Sequence, residues 1–126
     1  MTLFLDNDLS PALAEVLRQV DADAVHLREK FDPATPDEEW LPRVAREGWV
    51  LVTADERMRK RPAQRLVLQA CGITGLFLFK GFLRLQKREQ VAWFVKHLTG
   101  IEEQVGRLPA GTSARIHQNG KVEPLR

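Results

Sequence analysis

The chain has 126 residues, 44% of them hydrophobic, with a formal net charge of +2, enough for one domain with an ordinary core and too little for two. No run approaches the ~20 apolar residues that cross a bilayer, and the N-terminus lacks the basic-then-apolar layout of a secretion signal, so a soluble cytoplasmic protein is expected. Cys71 is the single cysteine; an internal disulfide is excluded, and its place in an apolar helical pattern predicts a small core residue.

The first strand is predicted at Leu3-Phe4-Leu5, a short apolar run that ends at Asp6 and is followed by Asn7 and Asp8. Ser10 then reads as an N-cap and Pro11 as the first helical residue, with Leu9, Leu13, Val16, Leu17 and Val20 along one face. A second strand fits Ala24 to Leu27, and Phe31 to Pro36 reads as a loop. Thr35-Pro36-Asp37-Glu38 predicts a capped helix start with a capping box, whose apolar face is Trp40, Leu41, Val44 and Ala45 and whose stop is Gly48.

Val50 to Thr53 is the third apolar run and again leads to an acid, Asp55. A helix from Pro62 to Cys71, a strand from Leu76 to Phe79 and a helix from about Lys87 to Leu98 or beyond complete the alternation. Asn119-Gly120 between Ala114–His117 and Lys121–Glu123 predicts a C-terminal hairpin at about 112–124. Repeated strand-then-helix units mean an α/β fold, a mostly parallel sheet flanked by helices.

Charge is divided along the chain. Residues 1 to 56 carry a net of −8, and residues 57 to 101 a net of +9 with Glu89 as their one acid. A basic region facing an acidic one is the layout of a nuclease, with cations on phosphates and carboxylates on metal; a solvated surface explains it equally simply.

In a parallel sheet, functional groups collect at the carboxyl ends of strands. Asp6, Asp37 and Asp55 all map there, with Asp8 beside them. The spacing of Asp37 to Leu41 and Val44 puts it on the inward face of its helix, where an unpaired carboxylate is costly and a cation would relieve it. An all-carboxylate set suits Mg²⁺ or Mn²⁺ and phosphoryl chemistry. Cys71, His26, His97 and His117 have no zinc spacing, and no nucleophile–His arrangement or phosphate-cradling Gly loop is visible. His26 reads as a structural histidine, and Trp40 as core before base platform.

Phe4-Leu5-Asp6-Asn7-Asp8-Leu9-Ser10-Pro11, Val25-His26-Leu27-Arg28, Thr35-Pro36-Asp37-Glu38-Glu39-Trp40, Val52-Thr53-Ala54-Asp55 and the basic run Arg57-Met58-Arg59-Lys60-Arg61-Pro62 resemble, in order, the PIN-like domains of the VapC-type toxins. The resemblance implies a single PIN-like domain over residues 1–126, metal-dependent endoribonuclease activity and a cognate antitoxin encoded nearby. Its active-site acids would correspond to Asp6, Asp37 and Asp55, holding Mg²⁺ or Mn²⁺ with Asp8 as a further ligand. Arg57, Arg59, Lys60, Arg61 and Arg65 would contact RNA phosphates. PIN domains commonly carry a further acid after the Asp55 position, where this chain has only Glu56 before Arg57. That departure motivates a second reading, a degenerate RNA- or protein-binding module. Asp6 and Asp8 also resemble the opening motif of haloacid-dehalogenase-like phosphatases, which need a late acidic pair after another strand, whereas residues 57 to 101 hold Glu89 as their only acid. The C-terminal hairpin and the apolar 77–85 region are candidates for a homodimer or antitoxin contact.

Overall fold

Four segments of four residues each, Thr2–Leu5 (β1), Asp23–His26 (β2), Val50–Thr53 (β3) and Gly75–Leu78 (β4), pair in parallel. In the computed structural model, which describes residues 1 to 125 except for the side chain of Arg59, Ser113–Ile116 (β5) adds in parallel and Val122–Pro124 (β6) closes the sheet as an antiparallel hairpin partner. The order is β2-β1-β3-β4-β5-β6. β3 and β4 are buried at every position, as runs of Val, Leu and Phe covered on both faces must be.

Helices cover both faces. Leu3 and Leu5 point to one core, where Leu13 and Leu17 of Pro11–Gln19 (α1) meet Phe94, Leu98 and Ile101 of a long helix near the C-terminus. Phe4, Leu51 and Phe77 point to the other, against Trp40 and Val44 of a helix before β3 and Leu68 of one after it. The alternation of Leu3, Phe4 and Leu5 between two cores follows from the two-residue side-chain period of a strand. Trp40 is buried against the Phe4 ring at 5.5 Å. It therefore packs in the core and offers no face to a base.

The remaining helices are Leu27–Lys30 (α2), Asp37–Glu47 (α3), Glu56–Lys60 (α4), Pro62–Ala70 (α5) and Lys87–Val105 (α6), with a 3₁₀ turn at Phe82–Arg84. α2 and α4 are absent from the sequence reading because each is too short for periodicity to register. Ser10 caps α1 as expected, its hydroxyl accepting from the Ala12 N–H at 3.2 Å. Gly48, at φ 69°, ends α3 in the left-handed conformation that glycine adopts without strain. The capping box at Thr35 does not form. Pro36, extended at ψ 151°, is the cap residue without a side-chain bond, and three acids in the first turn complement the helix dipole instead. Cys71 is a second correction: α5 ends at Ala70, and Cys71 is its exposed C-cap. Among the described residues no helix is long and apolar enough to cross a membrane.

Candidate active site at the carboxyl edge of the sheet

The chain leaves β1 through α1 toward β2 on one side, and leaves β3 through α4 and α5 toward β4 on the other. The crevice between the carboxyl ends of β1 and β3 is therefore the topological switch point, where open α/β sheets place their ligands. Asp6 follows β1 and Asp55 follows β3, so both acids flank this crevice. Strand order depends on long-range pairing, and no local pattern in the sequence reveals it.

Hydrogen bonds weld the two strand ends together. The Asp6 N–H donates to the Val52 carbonyl at 2.9 Å, and the fully buried Thr53 hydroxyl donates to Asp6 Oδ2 at 2.8 Å. The same Thr53 oxygen accepts from the Asp55 N–H at 3.0 Å. Asp8 Oδ2 accepts from the Ala54 N–H at 3.1 Å, and Asp6 Oδ1 from the Asn7 N–H at 2.7 Å. Asp55 caps α4, with Oδ1 accepting from the Arg57 N–H at 2.9 Å. Thr53 is thus the shared anchor of Asp6 and of the turn carrying Asp55, a role sequence reasoning missed because nothing in Val-Leu-Val-Thr specifies which neighbour the hydroxyl meets.

The acids crowd one another electrostatically. Burial raises the Asp6 carboxyl above its ordinary value, and the charges of Asp37 and Asp55 push the same way against the bonds from Asn7 and Thr53. Asp8 is pushed up to about 7, by its desolvation first and then by Asp6 and Asp55. More than a third of the Asp8 surface is nevertheless open to water, so solvent screening reduces the energetic weight of that shift. Asp37 is raised by desolvation, with Glu38 and Asp55 adding to it.

Asp37 does not lie against the sheet as its spacing implies. It is exposed in the first turn of α3. It lines the mouth of a groove between α3 and α5 with Leu41, Met58, Gln64 and Val67. Its charge still acts on the acidic edge, raising Asp6 more than Asp55 does.

The donor chemistry fits a hard divalent cation: oxygen ligands, and carboxyls raised by burial and by one another's charge. Asp6, Asp8 and Asp55 are the residues that would hold it. Among the described residues no three His, Cys, Asp or Glu side chains are already gathered in a metal-holding cluster.

His26 is structural. Fully buried, it caps α2 with Nδ1 accepting from the Arg28 N–H at 3.0 Å, which leaves Nε2 to donate to the Leu9 carbonyl at 2.6 Å. Burial lowers its pKa. Arg28, which the sequence motif contains without revealing its role, braces the acidic loop through Nε to Asn7 Oδ1 at 2.7 Å and a terminal nitrogen to the Asn7 carbonyl at 3.1 Å.

The basic run divides. Arg57 pairs loosely with Asp55 at 3.4 Å and Lys60 with Glu56 at 4.0 Å, Arg61 is exposed, and Arg65 lines a separate groove with Pro109, Thr112 and Leu125. The Arg59 side chain lies outside the described residues. Two further cations, Lys80 and Arg84, stand just past the end of β4, lining a small groove with Ala54 and Glu56. Their signal was a Lys-Gly pair directly after an apolar strand.

A family model described as a PIN like domain matches residues 1–80, the span that holds β1, β3 and all four acids. No curated protein and no solved structure matches the chain.

Proposed function

The chain belongs to the PIN-like domain family, whose fold is of nuclease type, and from that premise we propose that it is a metal-dependent endoribonuclease, the toxin of a type II toxin–antitoxin pair. The observation that carries the chemistry is the gathering of Asp6, Asp8 and Asp55 at the switch point, tied to the end of β3 by the Thr53 hydroxyl and the Ala54 N–H. A divalent cation held there, Mg²⁺ or Mn²⁺, would supply an activated water and charge to stabilise the leaving oxygen. Asp6 is the central ligand, fixed by two hydrogen bonds. Asp8 and Asp55 complete the set from either side of the crevice, and Asp37 adds negative charge from α3. Arg57, Lys60 and Arg61 lie on the side toward α4, and Arg28 steadies the loop between Asp6 and Asp8. A phosphatase using Asp6 as nucleophile has no support from the family.

Cleavage of total RNA with Mn²⁺, with EDTA and by Asp6→Asn tests the reading. Metal-dependent cleavage lost in a folded Asp6→Asn protein is expected; undiminished cleavage by that variant removes Asp6 from the site. One observation favours a second reading: after Asp55 the chain offers only Glu56 before Arg57, so a PIN-like module that binds RNA or protein without cutting is the alternative. RNA binding without any Mn²⁺ binding would select it. An antitoxin encoded beside this gene, and its capture of the purified chain, would support the toxin assignment.

A further inference from the structure

The connection from β4 to α6 is built as a rigid wall with three side chains turned outward. Phe82 is fully buried, its ring edge-on to Phe79 at 5.7 Å, Trp93 at 5.7 Å and Phe94 at 6.1 Å. Beneath the turn, the buried Gln90 amide donates to the carbonyls of Phe82 at 3.3 Å and Leu85 at 3.1 Å. Gly81, at φ 99°, makes the reversal that lets the chain leave β4 in this direction. With Phe82 and Gln90 fixing the turn from inside, Lys80, Leu83 and Arg84 face solvent.

Leu83 is 49% exposed, and it separates two grooves. On one side a cavity of about 470 Å³ runs to Asp8, Arg28 and Lys87; on the other a cavity of about 180 Å³ runs to Ala54, Lys80 and Arg84. Both grooves border the strand-end acids, one through Asp8 and the other through Ala54 and Glu56 beside Asp55. Lys80, Arg84 and Lys87, like Arg61, form no ion pair among the described residues, whereas Arg57 and Lys60 lie loosely beside an acid at 3.4 and 4.0 Å. A phosphate arriving at Lys80 or Arg84 displaces no partner. One arriving at Arg57 or Lys60 competes with a carboxylate.

We infer that the β4–α6 connection is the seat of a single-stranded RNA backbone, with Lys80 and Arg84 holding phosphates and Leu83 supplying an apolar ledge for a base or ribose between them. The inference rests on the nuclease reading and gives it a direction: the strand passes the acids on the β4 side, away from the basic run of α4. Cationic grooves that track the phosphates beside an apolar contact for the base are the general means of holding single strands without sequence preference.

The test is fluorescence anisotropy of an end-labelled 12-nucleotide single-stranded RNA on the full chain in EDTA, where cleavage is silent, over a series of KCl concentrations. Lys80→Ala/Arg84→Ala is expected to weaken binding by about tenfold or more and to flatten the slope of log affinity on log salt by about 1.4, the release expected for two phosphate contacts on a single strand. Leu83→Ala is expected to weaken binding several-fold with the salt slope unchanged. If the double variant, folded by circular dichroism, binds with wild-type affinity and slope while Arg57→Ala/Lys60→Ala does not, the inference is overturned and the nuclease reading stands. If the wild-type chain binds no RNA at any salt, both fall together.

Discussion

Thr53→Val removes one oxygen from a side chain that is fully buried and leaves its shape nearly unchanged. That oxygen donates to Asp6 Oδ2 at 2.8 Å and accepts from the Asp55 N–H at 3.0 Å. A bond to a carboxylate is worth roughly 1.5–3 kcal/mol and a neutral one about 1 kcal/mol. Asp6 and Asp55 are half-buried, so water replaces part of what is lost and the net cost should be about 2 kcal/mol. For a chain of this length that corresponds to a fall in Tm of about 8 °C. The carboxyl of Asp6, already raised by burial, loses a bond that holds it down, so the acid limb of RNA cleavage should move to higher pH. Loss of a group that orients a ligand should lower cleavage by about 10-fold or more. Thr53→Ser keeps the hydroxyl and should stay close to wild type in activity. Calorimetry with a pH series of metal-dependent cleavage reads all of these. A folded Thr53→Val protein with wild-type Tm and wild-type cleavage would refute the argument that this hydroxyl ties the two strand ends.

Asp8→Asn should stabilise the metal-free protein. Burial pushes its carboxyl up to about 7, well above the ordinary carboxylate range, so the folded chain holds the proton more tightly, and stability present below pH 4 is lost as pH rises toward 7. Discounted for its exposure, the gain at pH 8 should be about 1 kcal/mol and should vanish near pH 4, as urea titrations in EDTA will report. His26 has the opposite sign: its pKa is lowered, so stability rises with pH up to about its unfolded value of 6.5. His26→Ala should lose about 2–4 kcal/mol, through a broken cap and an unpartnered Leu9 carbonyl, and should abolish that acid dependence. Trp40→Ala should cost about 3–5 kcal/mol as a core truncation, and RNA should leave Trp40 fluorescence unquenched.

The parallel core was legible because Leu3-Phe4-Leu5, Val50-Leu51-Val52 and Leu76-Phe77-Leu78 are apolar without alternation, which only a sheet covered on both faces requires. Ser10-Pro11 and Asn119-Gly120 marked their helix start and hairpin by local chemistry that tertiary structure does not override. The site was legible in kind, as acids after strands, and illegible in arrangement. Helical angle alone put Asp37 inward, and angle does not say where the sheet stops. An apolar pattern put Cys71 in the core, but Leu68 is the only residue of α5 among the described ones to be buried, and Leu66 and Val67 face water at 61% and 47% exposure. Thr53, Arg28 and Lys80 gain their roles from neighbours some 20 to 50 residues away in sequence, which composition and periodicity do not encode.

The central claim is that the carboxylates flanking the β1–β3 crevice form a divalent-cation site. Isothermal titration of Mn²⁺ into the metal-free chain at pH 7.5 tests it most directly. Saturable binding that Asp6→Asn abolishes, and that Asp55→Asn weakens more than Asp37→Asn does, is the predicted result. No saturable heat from the wild-type chain, or an isotherm unchanged by Asp6→Asn, would contradict it.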